Sequence, residues 1–173
     1  MKKIVSVLLL FALLLALCAC GAAEEVNLPL PGGLRFGMSP EEVADLLGKK
    51  LGDTEHGEAY SLSYRKRPEG FDPDRRLSPS GTSVLVEYTD GKLSRVYYLV
   101  YLQESGTAAT RDVISGAETY YTELLGEPVT KFQDPTLGRS FMWEKGKLRL
   151  SLLSTTIGGI PSLSLDFTYG DAN

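Results

Sequence analysis

Cysteine is nearly missing from this chain of 173 residues. The two present, Cys18 and Cys20, stand just behind an N-terminal apolar run, and none follows from Gly21 onward. That excludes a disulfide, a thiolate metal site and a cysteine nucleophile from the rest of the chain, whose stability must come from an ordinary core. Histidine is scarcer still. His56 is alone, between Glu55 and Gly57 in a polar stretch, which rules out a multi-histidine metal centre and reads as a solvated loop residue. No Gly-x-Ser-x-Gly, Walker loop or His-Glu-x-x-His occurs. The carboxylates left as candidates for chemistry, Glu104, Asp112, Glu118, Asp134 and Asp166, are scattered and read as solvated charge. A carboxylate-dependent hydrolase leaves no short signature, so it stands as a third-ranked reading. No cofactor, no metal and no enzymatic activity are expected.

A surplus of positive charge is also lacking. The chain carries 18 basic and 22 acidic residues, a formal net charge of −4. That speaks against nucleic acid as a partner and against a polybasic patch for lipid head groups.

Only one long apolar run exists, Ile4 to Leu17, broken by Ser6 and preceded by Lys2 and Lys3. A charged region followed by an apolar stretch of this length has the form of a signal peptide, and it is short of the roughly 20 apolar residues that a membrane span needs. Leu17-Cys18-Ala19-Cys20-Gly21 follows. This resembles the lipobox of bacterial lipoproteins, with Leu17 at −3, Ala19 at −1 and Cys20 at +1. The resemblance implies a signal peptide over 1–19, a diacylglyceryl thioether on Cys20, and attachment of the processed protein to a bacterial membrane on its extracytoplasmic side. Cys18 fits less well because Leu17 is too large for the small −1 position. Loss of residues 1–19 would leave 16 of the 18 basic residues against 22 acidic, a net charge of −6. Residues 20–33, with small side chains, two prolines and Gly32-Gly33, read as the lipidated cysteine and a flexible tether.

The clearest local structure is Leu34 to Gly48. Ser39 caps a helix, Pro40 fits its first position, and Glu42 completes a capping box. Met38 and Val43 occupy the staple positions, Val43, Leu46 and Leu47 form one stripe, and Gly48 suits the left-handed end. Ala59 to Arg65 alternates with Tyr60, Leu62 and Tyr64 on one side, as a half-buried strand does. A loop over 66–81 follows. Its Asp72-Pro73-Asp74 invites a calcium reading, but the ligand run stops there. Thr82 to Thr89 and Lys92 to Gln103 read as strands joined by the hairpin turn Asp90-Gly91, with Val84, Val86 and Tyr88, and Val96, Tyr98, Val100 and Leu102, on their inner faces. A second helix, capped by Thr107 or Thr110, shows a stripe of Val113, Ala117, Tyr120, Tyr121 and Leu124 and stops at Gly126-Glu127-Pro128. Three strands then follow, at Arg139 to Glu144, Leu148 to Ser154 and Pro161 to Tyr169, the first two joined by a turn at Lys145-Gly146. Phe141 and Trp143, then Leu148, Leu150 and Leu152, then Leu163, Leu165, Phe167 and Tyr169 form their inner faces.

The helix endings Asp45-Leu-Leu-Gly48 and Glu123-Leu-Leu-Gly126 match in kind. Residues 34–173 therefore read as an α+β domain of two αβββ units, 34–104 and 105–173, an antiparallel sheet with helices on one face. Phe36-Gly37-Met38-Ser39 together with Leu46-Leu47-Gly48 resembles the entry and exit of the helix in the small outer-membrane-assembly lipoproteins of the SmpA/OmlA family. Two such units in tandem resemble the β-lactamase-inhibitor-protein fold. What the resemblance implies is a binding or scaffold module, with another envelope or secreted protein as partner. The alternative it suggests is an inhibitor of a secreted or envelope enzyme.

On the expected helix-free face, Arg95, Tyr97, Leu99 and Tyr101 line up along one strand. Tyrosine and arginine are enriched at binding hot spots, so this row is the candidate binding face; the competing readings are cross-strand packing with Leu85 and cover by the loop over 66–81.

The anchor is directly testable. A radioactive fatty acid fed to the producing bacterium should label the wild-type protein, and Cys20→Ser should abolish the label and release the protein from membranes. Equal labelling of the serine variant would dismiss the lipoprotein reading.

Overall fold

The computed structural model describes Leu28 and residues 30–55, 57–61, 77–102, 107–134, 138–157 and 159–170. The apolar run, Cys18, Cys20, His56, Leu62, Tyr64, Asp72, Asp74 and Glu104 lie outside the described residues. No helix among the described residues is long and apolar enough to cross a membrane.

Helix α1 spans Pro40–Leu47. Its capping box is complete: the Glu42 N–H donates to Ser39 Oγ at 3.3 Å, and the Ser39 N–H donates to Glu42 Oε2 at 2.8 Å. Such a cap is worth about 1 kcal/mol. Gly48 takes φ +83° at the C-terminal end, and Met38, Val43 and Leu47 are buried. Strands β1 (Lys50–Asp53), β2 (Gly57–Ser61), β3 (Leu77–Thr89) and β4 (Lys92–Leu102) follow as an antiparallel meander. The β3–β4 turn has positive φ at both Asp90 and Gly91, the geometry that matches the twist of the flanking strands. Helix α2 (Thr107–Leu125) opens a second meander of β5 (Thr130–Asp134), β6 (Gly138–Lys145), β7 (Leu148–Ile157) and β8 (Ile160–Tyr169).

These strands form one eight-stranded sheet in the order β1-β2-β3-β4-β8-β7-β6-β5. The two αβββ units of an α+β domain are therefore a misreading. The architecture is mainly β, each helix is followed by four strands, and β4 pairs with β8 to make the halves continuous. The overlooked strands β1 and β5 are the two edges. Their side chains are mostly exposed, so they carry none of the alternating apolar pattern by which a strand is read. Four residues of the expected loop 66–81, from Ser78, together with Leu77 itself belong to β3.

One face of the sheet carries the core. Tyr60, Val84, Val86, Val96, Tyr98 and Val100 from the first half join Phe141, Trp143, Leu150, Leu152, Leu163, Leu165 and Phe167 from the second, in the expected phase. Buried residues of both helices belong to the same cluster. Helix α2 is turned from its expected stripe: Val113, Ala117 and Tyr121 are buried, but Ile114 and Leu125 go inward with them and Leu124 is exposed. The segment read as tether is also packed at its end, since Leu28 and Leu30 are buried and Pro31–Gly33 forms a 3-10 turn.

Tyr121 lies in the middle of the core, edge-on to Phe167 and tilted against Trp143. Its hydroxyl has no hydrogen-bond partner among the described residues, and burial holds its pKa far above the usual phenol value. A buried polar group without a partner costs about 1–3 kcal/mol. Tyr121→Phe should therefore leave the melting temperature unchanged or raise it, whereas Tyr121→Ala should lose about 3–5 kcal/mol through the cavity it leaves. Thermal denaturation followed by circular dichroism measures both. A large loss in the phenylalanine variant would show that the hydroxyl does have a partner.

Candidate functional site

The face opposite the helices carries the predicted row. Register places Arg95 between Glu87 on β3 and Thr168 on β8, and Tyr97 between Leu85 and Asp166. Leu99 lies between Ser83 and Ser164, and Tyr101 opposite Ser162. All four side chains are half-buried.

Arg95 is committed within the sheet. Its Nε and Nη2 donate to the two oxygens of Asp166 at 2.8 and 2.7 Å, and Nη1 donates to Glu87 at 3.2 Å. A bidentate guanidinium–carboxylate pair fixes direction as well as charge. This arrangement ties β3, β4 and β8 together and keeps Arg95 firmly protonated, chiefly through Asp166. Arg95 is therefore a brace, and the contact area of the row belongs to Tyr97, Leu99 and Tyr101.

The same face holds apolar residues outside the predicted row. Leu153 is 42% exposed and stands beside Ser164; Phe132, on edge strand β5, is 49% exposed. Ile157 and Ile160 face each other at the tip of the β7–β8 hairpin, 40% and 48% exposed. An antiparallel sheet that turns one face to water is expected to show polar residues there, and these side chains depart from that rule. Between the row on β4 and Leu153 on β7, Ser162 and Ser164 are buried, with hydroxyls donating to the Ile160 and Leu153 carbonyls. Leu153 is out of phase in the run Leu150-Ser-Leu-Leu, and the isoleucines straddle Gly158-Gly159. Both were visible as apolar residues out of place, but Phe132 needed the unrecognised edge strand.

Of the scattered carboxylates, Glu104 lies outside the described residues, as does the side chain of Asp112. Asp166 pairs with Arg95, and Glu118 on α2 pairs with Lys131 on β5. No group of three potential metal ligands occurs among the described residues. Glu58, which sequence reading passed over, is a carboxylate shared by several donors. Its Oε2 accepts from the Tyr60 and Tyr88 hydroxyls at 2.8 and 3.0 Å, and its Oε1 accepts from Lys50 Nζ at 3.0 Å. Burial alone would raise its pKa, but these three donors together outweigh burial and hold it below the usual glutamate value. Burial and the bond to Glu58 push Tyr60 up to about 12. A carboxylate so saturated and so weakly basic is a poor proton acceptor; it pins the β1–β2–β3 edge.

No protein-family profile and no curated protein matches this chain. Among solved structures it is similar to a DUF4309 family protein, YjgB, from Bacillus subtilis, at 11% identity and a TM-score of 0.42, covering 76% of this chain and 78% of that one. A likeness this slight carries no functional argument.

Glu58 supplies a pH prediction. Its folded pKa is depressed, so the folded state holds fewer protons than the unfolded one in the window below about 4.3, the unperturbed glutamate value. The stabilisation is complete above that value and is lost as pH falls through the folded pKa. Glu58→Gln should therefore lower the melting temperature at pH 7 and flatten the acid limb of the stability profile. An acid limb as steep as that of wild type would assign the acid sensitivity to other groups.

Proposed function

We propose that this protein is a lipid-anchored extracytoplasmic binding module that captures another envelope or secreted protein on the helix-free face of its sheet. The observation that carries this reading is the aromatic and aliphatic surface made by Tyr97, Leu99 and Tyr101 with Leu153, Ile157 and Ile160. Tyrosine supplies large, rigid contact area, and exposed apolar groups on one face mark interaction sites more often than they serve solubility. The lipobox-like Leu17–Cys20 stretch supports attachment to a membrane, and resemblance to the small assembly lipoproteins supports a binding or scaffold role in place of chemistry. The braced Arg95 supports a rigid presenting surface, because its partners lie on the two neighbouring strands.

Two double variants test this. Tyr97→Ser with Tyr101→Ser, and separately Ile157→Ser with Ile160→Ser, should leave circular dichroism and melting temperature close to wild type. Both should lose the protein that wild type retains after affinity purification from detergent-solubilised envelopes. A fall of many degrees in the tyrosine variant, with capture unchanged in the isoleucine variant, would mark the face as packing and withdraw the proposal.

A further inference from the structure

A concave feature lies where the N-terminal segment meets the β3–β4 turn. It is a cavity of about 620 Å³, within the roughly 300–1,000 Å³ typical of small-molecule sites. Leu28, Leu30 and Leu93 supply apolar lining, and Phe36 and Tyr169 add a flat wall, their rings stacked with centroids 5.1 Å apart. The walls are held by main chain. The Gly37 N–H donates to the Leu93 carbonyl at 2.9 Å, and the Leu93 N–H donates to the Met38 carbonyl at 2.8 Å.

The polar part of this cavity is one-sided. Arg35 and Lys92 both line it, with the hydroxyl residues Thr89 and Ser94, and among the described residues no carboxylate does. In an acidic chain, two cations lining one cavity with no acid among its described residues favour an anion. Arg35 comes from the segment before α1 and Lys92 from the first position of β4, so the fold brings both to the lining of one cavity. Thr89 Oγ1 donates to Ser94 Oγ at 2.9 Å, which orders the hydroxyls of the lining. Ser94 is the extra residue of a β-bulge, since Glu87 pairs with Arg95 and Tyr88 with Leu93, and bulges re-aim side chains.

We infer that this cavity binds a single-chain amphiphile with an anionic head group. The acyl chain lies along Leu30, Phe36, Leu93 and Tyr169, and the head group sits between Arg35 and Lys92. A fatty-acid carboxylate and a lysophospholipid phosphate share this chemistry. The site would also lie near a supply of such molecules: Leu28 is eight residues after Cys20, which at about 3.3 Å per residue spans no more than about 26 Å. Only that point of supply rests on the proposed anchor; the fit of the cavity does not.

The test uses the full chain reconstituted in phosphatidylcholine nanodiscs and a diazirine-bearing palmitic acid, with its methyl ester and a diazirine lysophosphatidic acid as parallel probes. After irradiation, mass spectrometry should find the acid on peptides containing Phe36 and Leu93, with the ester about tenfold weaker, as loss of a charge-assisted contact predicts. Arg35→Glu with Lys92→Glu should reduce acid labelling by a similar factor while leaving ester labelling and the melting temperature unchanged. Arg35→Gln with Lys92→Gln gives the same comparison if charge reversal disturbs folding. Capture of the lysophosphatidic acid alone would identify a phosphate head group as the ligand, and capture of the palmitic acid alone a carboxylate. Labelling spread evenly along the chain, ester labelling equal to acid, or charge-altered variants equal to wild type would each overturn the inference. A protein that fails to stay with the discs yet captures added probe would remove the anchor and leave the cavity assignment standing. A protein retained by the discs but unlabelled would do the reverse.

Discussion

The structure depends on the pairing of β4 with β8. Seven consecutive residue pairs, from Arg95–Thr168 to Tyr101–Ser162, join two meanders that are each only four strands wide. On the core side this pairing sets Val96, Tyr98 and Val100 directly against Phe167, Leu165 and Leu163. Apolar burial is worth roughly 25 cal/mol per Å², so a seam with all six side chains buried binds the halves strongly. Without the seam, each half would expose a long apolar edge strand, a template for aggregation. The outer edges of the joined sheet are different in kind. β1 and β5 are short and largely polar, and Lys50 and Lys131 engage carboxylates there.

The seam also creates the candidate surface. Because neighbouring strands are in register, side chains at alternate positions of β3, β4, β8 and β7 come together on the helix-free face. Arg95 crosses the seam to Asp166 and reaches back to Glu87, so charge on this face holds strands together. Tyr97, Leu99 and Tyr101 are set on that brace. Glu58 is a second brace, of different make, in which two phenols and an ammonium fix an edge. In both places ionised groups find partners within the sheet.

Much of the fold was legible in the sequence, and the parts that were share a cause. Helix α1 was readable to the residue because capping, staple and glycine stop are set within a few positions of one another. The β3–β4 and β6–β7 hairpins were readable because turn chemistry and period-2 alternation are local too. The inner-face residues of β3, β4, β6, β7 and β8 followed from phase alone, since a strand with one buried face writes its register into its sequence. The Arg95–Tyr101 row was legible as residues sharing a face, but its division into a brace and a contact surface was not, because Asp166 is 71 residues away.

What the sequence determined by itself, then, is every feature fixed by neighbours in the chain: where α1 begins and ends, where the β3–β4 hairpin turns, and which side of each long strand is apolar. Tertiary structure alone decided the rest. Edge strands β1 and β5 are strands because β2 and β6 offer them hydrogen-bonding partners, not because of their own pattern. Helix α2 buries Ile114 and Leu125 in place of Leu124 because its rotation answers to the sheet below it. Leu28 and Leu30 leave the tether for the core, and Arg35 and Lys92 come to line one cavity, where the N-terminal segment pairs with Leu93. The helix and N-terminal contacts join residues far apart in sequence, while β1 and β5 lie close to their partners in the chain but carry no apolar alternation that would announce them.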